Sequence, residues 1–382
     1  MRRRWIFPIV LVTVLATAGV GTTSALASST TRDHELVARL QKLLPDDHRL
    51  RPELRYPFAI DPGDYECVED GPMSQWKNSL TAGMTPDQLA GFSTLLSYNV
   101  WESDALYFPQ PERQRYFGRH GEYTSQMRAE WADLKKFWDV RSDAVQMVPV
   151  HGDVILDQAR SARAIRAGLG LSPRDAAEAA VMLKELADQD VYQHGELPLF
   201  TALNSMTSFS PDNPAPPGTD ARPKILYGDG VFSFGKTFGY DRIGPKIFLA
   251  HEYGHQVQTE HGLMPAKTTP EQSRRLELMA DSMGTYFLGH RRGENLPWPQ
   301  LRRSTEFLYR NGDCRFTSRF HHGTLNQRGR AGEWGAKLSQ AGGRILPSGR
   351  MIELFDRKLP QIVAPDAPET VTLSAAELSA VS

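Results

Sequence analysis

Two histidines four positions apart, His251 and His255, lie in the run Ile247-Phe248-Leu249-Ala250-His251-Glu252-Tyr253-Gly254-His255-Gln256-Val257-Gln258, and this spacing constrains the chain more than any other feature. The run reads as helix. Four residues make about one turn, so both imidazoles stand on one face and can grip a single metal ion, with Glu252 beside them. With eleven His in 382 residues, an H-E-x-x-H pattern arises by chance on the order of a few per cent of the time. The surroundings have to decide what it means.

Downstream, Arg274-Arg275-Leu276-Glu277-Leu278-Met279-Ala280-Asp281 supplies a second helical pair of acids. Glu277 is a candidate third ligand, since catalytic zinc commonly takes three protein ligands, His-His-Glu among them, and leaves the fourth position to water. Asp281, one turn further on, points the same way and can accept the remaining N–H of a ligand His, fixing its tautomer. A rival third ligand is His261, ten residues after His251 as in the metzincin pattern H-E-x-x-H-x-x-G-x-x-H. Gln258 stands where that pattern has Gly. Without the glycine the helix has no ready stop, and if it runs on, His261 falls roughly 120° off the metal face. Glu277 is therefore preferred.

H-E-x-x-H followed about twenty residues later by E-x-x-A-D resembles the zinc metallopeptidases called gluzincins. The segment Gly312-Asp313-Cys314, His321-His322-Gly323-Thr324 and Gln327-Arg328 further resembles the H-G-T-x-x-Q-R signature of bacterial neutral zinc metallopeptidases. The likeness spans roughly residues 223 to 340, with Gly228-Asp229-Gly230 as a weaker upstream element. It implies one Zn2+ ion, a zincin-like fold and hydrolysis of a peptide or protein substrate by metal-activated water, with Glu252 as general base. His322 or Arg328 could donate to the tetrahedral oxyanion if their loop folds over the cleft, although a Gly-Thr turn held by a buried Arg has the same sequence. Two other readings stay open: a zinc amide hydrolase acting on cell-wall peptides, and a zinc-bearing binding protein without activity. Glu252 weighs against the second, because a structural site needs no base and usually has four protein ligands.

The chain opens Met1-Arg2-Arg3-Arg4, continues with an apolar run from Trp5 to Ala18 and reaches Ala25-Leu26-Ala27, the three regions of an export signal cleaved after Ala27. The competing reading is an uncleaved anchor, weakened by Pro8 and a Gly/Thr/Ser-rich second half. A secreted protein is expected, or a cell-envelope one if the segment stays. Removing residues 1–27 takes three Arg and no acid, leaving 41 basic against 45 acidic residues. Nothing there suggests a nucleic-acid partner, nor a membrane beyond the export segment. The two cysteines, Cys67 and Cys314, are what an exported protein with one disulfide would carry, and the bond would tie the N-terminal region to the metal-site half.

Helix signals precede the motif: Leu36, Leu40, Leu43 and Leu44 before Pro45; Thr85-Pro86 opening a helix toward Tyr98; Met127, Trp131, Leu134 and Trp138 between Ser125 and Val140; and Ser172-Pro173 opening one to about Ala187. Val145–Val150 and Val154–Leu156 read as two strand pieces around His151-Gly152-Asp153, with His151 structural. Ile225–Tyr227 and Val231–Phe234 around Gly228-Asp229-Gly230 read as a hairpin or bulged strand, either an ordinary one or a wall of the cleft. Pro245 and Gly262 bound the motif helix, Thr269-Pro270-Glu271-Gln272 is a capping box for the Glu277 helix, and further helices are expected over Trp298–Arg310 and Ala331–Ala341. The fold expected is α+β: an export signal over 1–27, a mixed and mostly helical portion over 28–204, a Pro- and Ser-rich loop over 205–223, a zincin-like catalytic portion over 224–364, and a tail over 365–382 without evident pattern.

Overall fold

The computed structural model describes residues 29–46, 67, 71–202, 204–207, 214–265, 268–365, 367, 368 and 370–382. The expected export signal lies outside the described residues, as does the stretch 208–213 of the expected loop. No described helix is long and apolar enough to cross a membrane.

The chain is α+β and mostly helical. The N-terminal part runs through α1 (Ser29–Leu43), α2 (Pro72–Thr81), α3 (Pro86–Tyr98), α4 (Val100–Tyr107) and α5 (Thr124–Phe137). Leu36, Leu40 and Leu44 face inward as their spacing predicts, and Tyr98 reaches back to donate to the Leu40 carbonyl at 2.7 Å. Thr85 caps α3 in a reciprocal box with Gln88. Met127 and Leu134 of α5 are fully buried, so the aromatic and aliphatic stripe belongs to the core.

Three strands, β1 (Gln146–Val150), β2 (Asn204–Thr207) and β3 (Lys224–Gly228), form a sheet in the order β1-β3-β2. β1 runs parallel to β3 with Val148 opposite Leu226, and β2 runs antiparallel to it with Met206 opposite Ile225. Between β1 and its parallel partner β3 the chain runs through α6 (Gln158–Leu169), α7 (Pro173–Ala187) and β2, the long crossover a parallel pair requires. β3 is buried along its whole length. Burying Ile225 and Leu226 contributes about 1.5–3 kcal/mol each. The sheet draws on both sides of the expected 205–223 boundary: the first residues of that loop are strand, and one hydrophobic core joins the two portions.

Two strand expectations fail. Val154–Leu156 is not a strand but part of a tight helical turn over Gly152–Leu156, with Val154 and Ile155 turned into the core. The hairpin around Gly228-Asp229-Gly230 is absent too, because β3 passes directly into helix α8 (Asp229–Thr237). Three apolar residues at Val231, Phe232 and Phe234 satisfy a strand or a helix. What selects the helix is tertiary: a Cβ on Gly230 would stand 1.9 Å from the Pro198 carbonyl oxygen, so this turn docks backbone to backbone. His151 is structural as expected, with Nδ1 2.8 Å from Asp229 Oδ2 and Nε2 3.1 Å from the Gln114 carbonyl.

The C-terminal part is a helical layer: α9 (Gly244–Glu260), α10 (Pro270–Gly289), α11 (Trp298–Arg310), α12 (Leu325–Ala341), α13 (Ser348–Val363) and α14 (Ala375–Val381). α10 packs against both α9 and α12. Glycines let it come close: a Cβ on Gly254 would meet Ala280 Cα at 3.0 Å, and one on Gly284 would meet the His251 backbone nitrogen at 3.2 Å. α9 is buried from Gly244 to Gln258 apart from the half-buried Lys246, with Tyr253 edge-on to Trp131 of α5 and hydrogen-bonded to Ser142 at 2.8 Å. The tail is not patternless. Ser374 and Glu377 form a capping box that starts α14, and Glu377 takes the Trp334 indole N–H at 2.8 Å.

Candidate metal centre

α9 begins with Pro245 in its first turn and reaches Glu260, so it carries His251, Glu252 and His255 in unbroken helix. α10 starts from Thr269, whose hydroxyl accepts from Gln272 N while the Gln272 side chain accepts from Thr269 N. These two starts fix the register at which the helices face each other. The Nε2 atoms of His251 and His255 lie 3.2 Å apart. Glu277 reaches across from α10, with Oε2 3.2 Å from His251 Nε2 and Oε1 3.6 Å from His255 Nε2. Among the described residues this trio brings its donor atoms within 4.8 Å of one another.

Those distances fit a tetrahedral cation. Two nitrogens at bonds of about 2.0–2.1 Å and a tetrahedral angle stand about 3.4 Å apart, close to the spacing of the two Nε2 atoms. The far nitrogens are already engaged. His251 Nδ1 meets Asp281 Oδ1 at 2.8 Å, and His255 Nδ1 meets Gln258 Oε1 at 2.8 Å. A carboxylate oxygen can only accept, so His251 carries a proton on Nδ1 and turns Nε2 toward the site. Sequence reasoning placed Asp281 here and did not find Gln258.

Asp281 is fully buried and bound in turn by Arg328, which donates Nε–H to Oδ2 at 2.8 Å and an N–H to Oδ1 at 2.6 Å. A third donor of Arg328 goes to the Asn311 carbonyl at 3.2 Å. Arg328 is therefore committed behind the ligands, which is the buried-Arg alternative and not a place from which to reach an oxyanion. Burial pushes the Asp281 carboxyl up, but Arg328 and His251 outweigh it and hold it below its ordinary value. Burial likewise opposes charge on His251, yet Asp281 and Glu277 raise it to about 10. Glu277 is held well below the ordinary carboxylate range despite burial, because His322, His255 and His251 surround it.

His322 comes from the opposite wall. Its Nε2 is 3.8 Å from Glu277 Oε2, and its side chain is 30% exposed, so it reaches both the donor trio and solvent. Asp313 holds it there, taking the His322 backbone N–H at 2.9 Å and lying 3.2 Å from Nδ1 through Oδ2, while Oδ1 is 2.6 Å from His321 Nδ1. The next residue, Cys314, is bonded to Cys67, the expected disulfide. The H-G-T-x-x-Q-R segment is thus legible part by part: the paired histidines sit on Asp313, Thr324 and Gln327 form the capping box of α12, and Arg328 anchors Asp281. α12 starts at this box, earlier than the Ala331 start expected.

Glu252 lies next to the trio at 3% exposure and is among the charges that raise His255. His261 is elsewhere: its Nε2 meets Ser348 Oγ at 2.7 Å, at the start of α13. Gln258, standing in place of the glycine, lets α9 continue, and His261 is carried off the ligand face. Searches of family models, curated proteins and solved structures found no match to this chain.

Proposed function

We propose that the chain is an exported zinc-dependent peptidase of zincin-like fold, with His251, His255 and Glu277 as ligands of one Zn2+ and Glu252 as general base. The observation that carries this is the convergence of the three donors at tetrahedral spacing, with a carboxylate-bearing residue adjoining them on the same helix. Zinc bound there would lower the pKa of a water and polarise a carbonyl. Glu252 takes the proton from the attacking water and delivers it to the leaving amine. His322, held at Nδ1 by Asp313 on the exposed side of the trio, is placed to donate a hydrogen bond to the developing oxyanion. Asp281 and Arg328 keep the His251 ring from turning.

The test combines zinc content with digestion of a denatured protein. Glu252→Gln keeps zinc and loses nearly all turnover, since the amide cannot accept the proton. Glu277→Ala loses the metal, while His261→Ala changes little. Undiminished digestion by Glu252→Gln would refute the peptidase reading. Parallel incubation with purified peptidoglycan, with and without a chelator, separates a proteinase from an amide hydrolase of cell-wall peptides.

A further inference from the structure

We infer that Gln258 is the positioning residue for His255, an amide strut that selects the tautomer of this ligand and ties it to the residue before Glu277. The inference rests on the metal reading above and deepens it. Gln258 is fully buried on α9, three residues after His255. Its Oε1 is 2.8 Å from His255 Nδ1, and its Nε2 donates to the Leu276 carbonyl at 2.7 Å.

These contacts leave no choice of assignment. A backbone carbonyl only accepts, so the amide nitrogen must be the end that faces Leu276, and the amide oxygen must face His255. An oxygen facing Nδ1 requires a proton on Nδ1, so the Nε2 lone pair is the one presented to the metal. The Leu276 carbonyl therefore sets the amide, the amide sets the ring, and the ring sets the donor atom. Leu276 directly precedes Glu277 in α10, so the same side chain also spans the two ligand-bearing helices beside the third ligand.

The two histidines are treated differently. His251 leans on a carboxylate that is itself neutralised by Arg328, whereas His255 leans on an uncharged amide. Gln258 thus orients its ring without placing a second negative charge behind the cation. It also explains why a glutamine at the position that rules out a metzincin-type turn belongs in this helix: it completes the site from within α9.

Zinc affinity, by competition with a chromophoric chelator, and imidazole nitrogen spectra decide the matter. In the zinc-loaded protein, labelled with 15N at histidine, His255 shows the proton on Nδ1 and the metal on Nε2. Gln258→Met keeps the length but has neither an acceptor for Nδ1 nor a donor for Leu276, and its zinc affinity falls roughly 10–100-fold below that of the wild type. Gln258→Glu keeps an oxygen on Nδ1 and recovers most of that affinity, even where losing the bond to Leu276 lowers its melting temperature. A purely structural role would follow the melting temperature instead. Metal on Nδ1 of His255 in the wild type, affinity unchanged in Gln258→Met, or affinity in Gln258→Glu as weak as in Gln258→Met, would each overturn the proposal. The nitrogen spectrum needs no variant and stands if the substitutions do not fold. Failure of the wild type itself to take up zinc would remove the metal reading beneath it.

Discussion

Side chains within a few ångströms of one another around the cluster do different jobs, and substitution separates them. His322→Phe removes a donor on the exposed side, so under the proposed function turnover should fall about 10²–10³-fold with zinc content and melting temperature nearly unchanged. Arg328→Met instead leaves Asp281 buried and uncompensated, a loss of about 3–5 kcal/mol that a thermal melt reads directly. The convergence of His251, His255, Glu277 and Asp281 was legible in the sequence because helical spacing puts each helix's pair on one stripe. Gln258 was not, and Arg328 was read as either an oxyanion donor or a buried structural Arg without its partner Asp281, since such partners are fixed by how α9, α10 and α12 pack, and spacing carries no record of that. Glu130 is a further buried acid, on α5, with no hydrogen-bond partner for either oxygen among the described residues. Burial, reinforced by Glu294, raises it well above its ordinary value near 4.5. The folded chain then keeps a proton that the unfolded chain releases, so this group's contribution is fully present below about pH 4.5 and is lost as pH rises toward the folded value. Glu130→Gln removes that loss. Melts from acid to neutral pH should show the variant gaining on the wild type as pH rises, and a constant difference would refute the assignment.

At the scale of elements, caps decided more than hydrophobic pattern did. α3, α7 and α10 were readable because Thr85, Ser172 and Thr269 each precede a proline that opens a helix. The same logic applied at Thr324-Leu325-Asn326-Gln327 and Ser374-Ala375-Ala376-Glu377, where the box lacks proline and follows a histidine- or proline-rich stretch, and there it was missed. α8 was missed for another reason, because its helical state depends on Gly230 lying against the 198–202 backbone, a contact far off in sequence. The cap of α12 matters for the site because Arg328 stands in its first turn and His322 lies two residues before Thr324. Thr324→Ala should cost about 1 kcal/mol of stability and, by loosening both approaches at once, lower turnover more than zinc affinity. Equilibrium unfolding and steady-state kinetics on the same preparation check both parts.

For the molecule as a whole, the sheet and the single core join two portions that the sequence suggested were separable by a loop. Composition could not reveal this, because a Pro- and Ser-rich stretch looks the same whether it links domains or merely returns a strand to its own sheet. The disulfide between Cys67 and Cys314 adds a covalent tie across 247 residues of sequence. Closing a loop of that size removes on the order of 5 kcal/mol of unfolded-chain entropy, so the reduced protein should melt well below the oxidised one. The bond has another consequence for a chain exposed to any protease. A single break anywhere between residues 67 and 314 leaves two pieces still linked through the sulfurs, even one that falls between α9 and α10 and so divides the candidate ligands. A preparation cut once within that span should therefore migrate as one species on a non-reducing gel and separate only when thiol is added, so that the damage stays hidden in the intact-looking molecule until the sulfurs part.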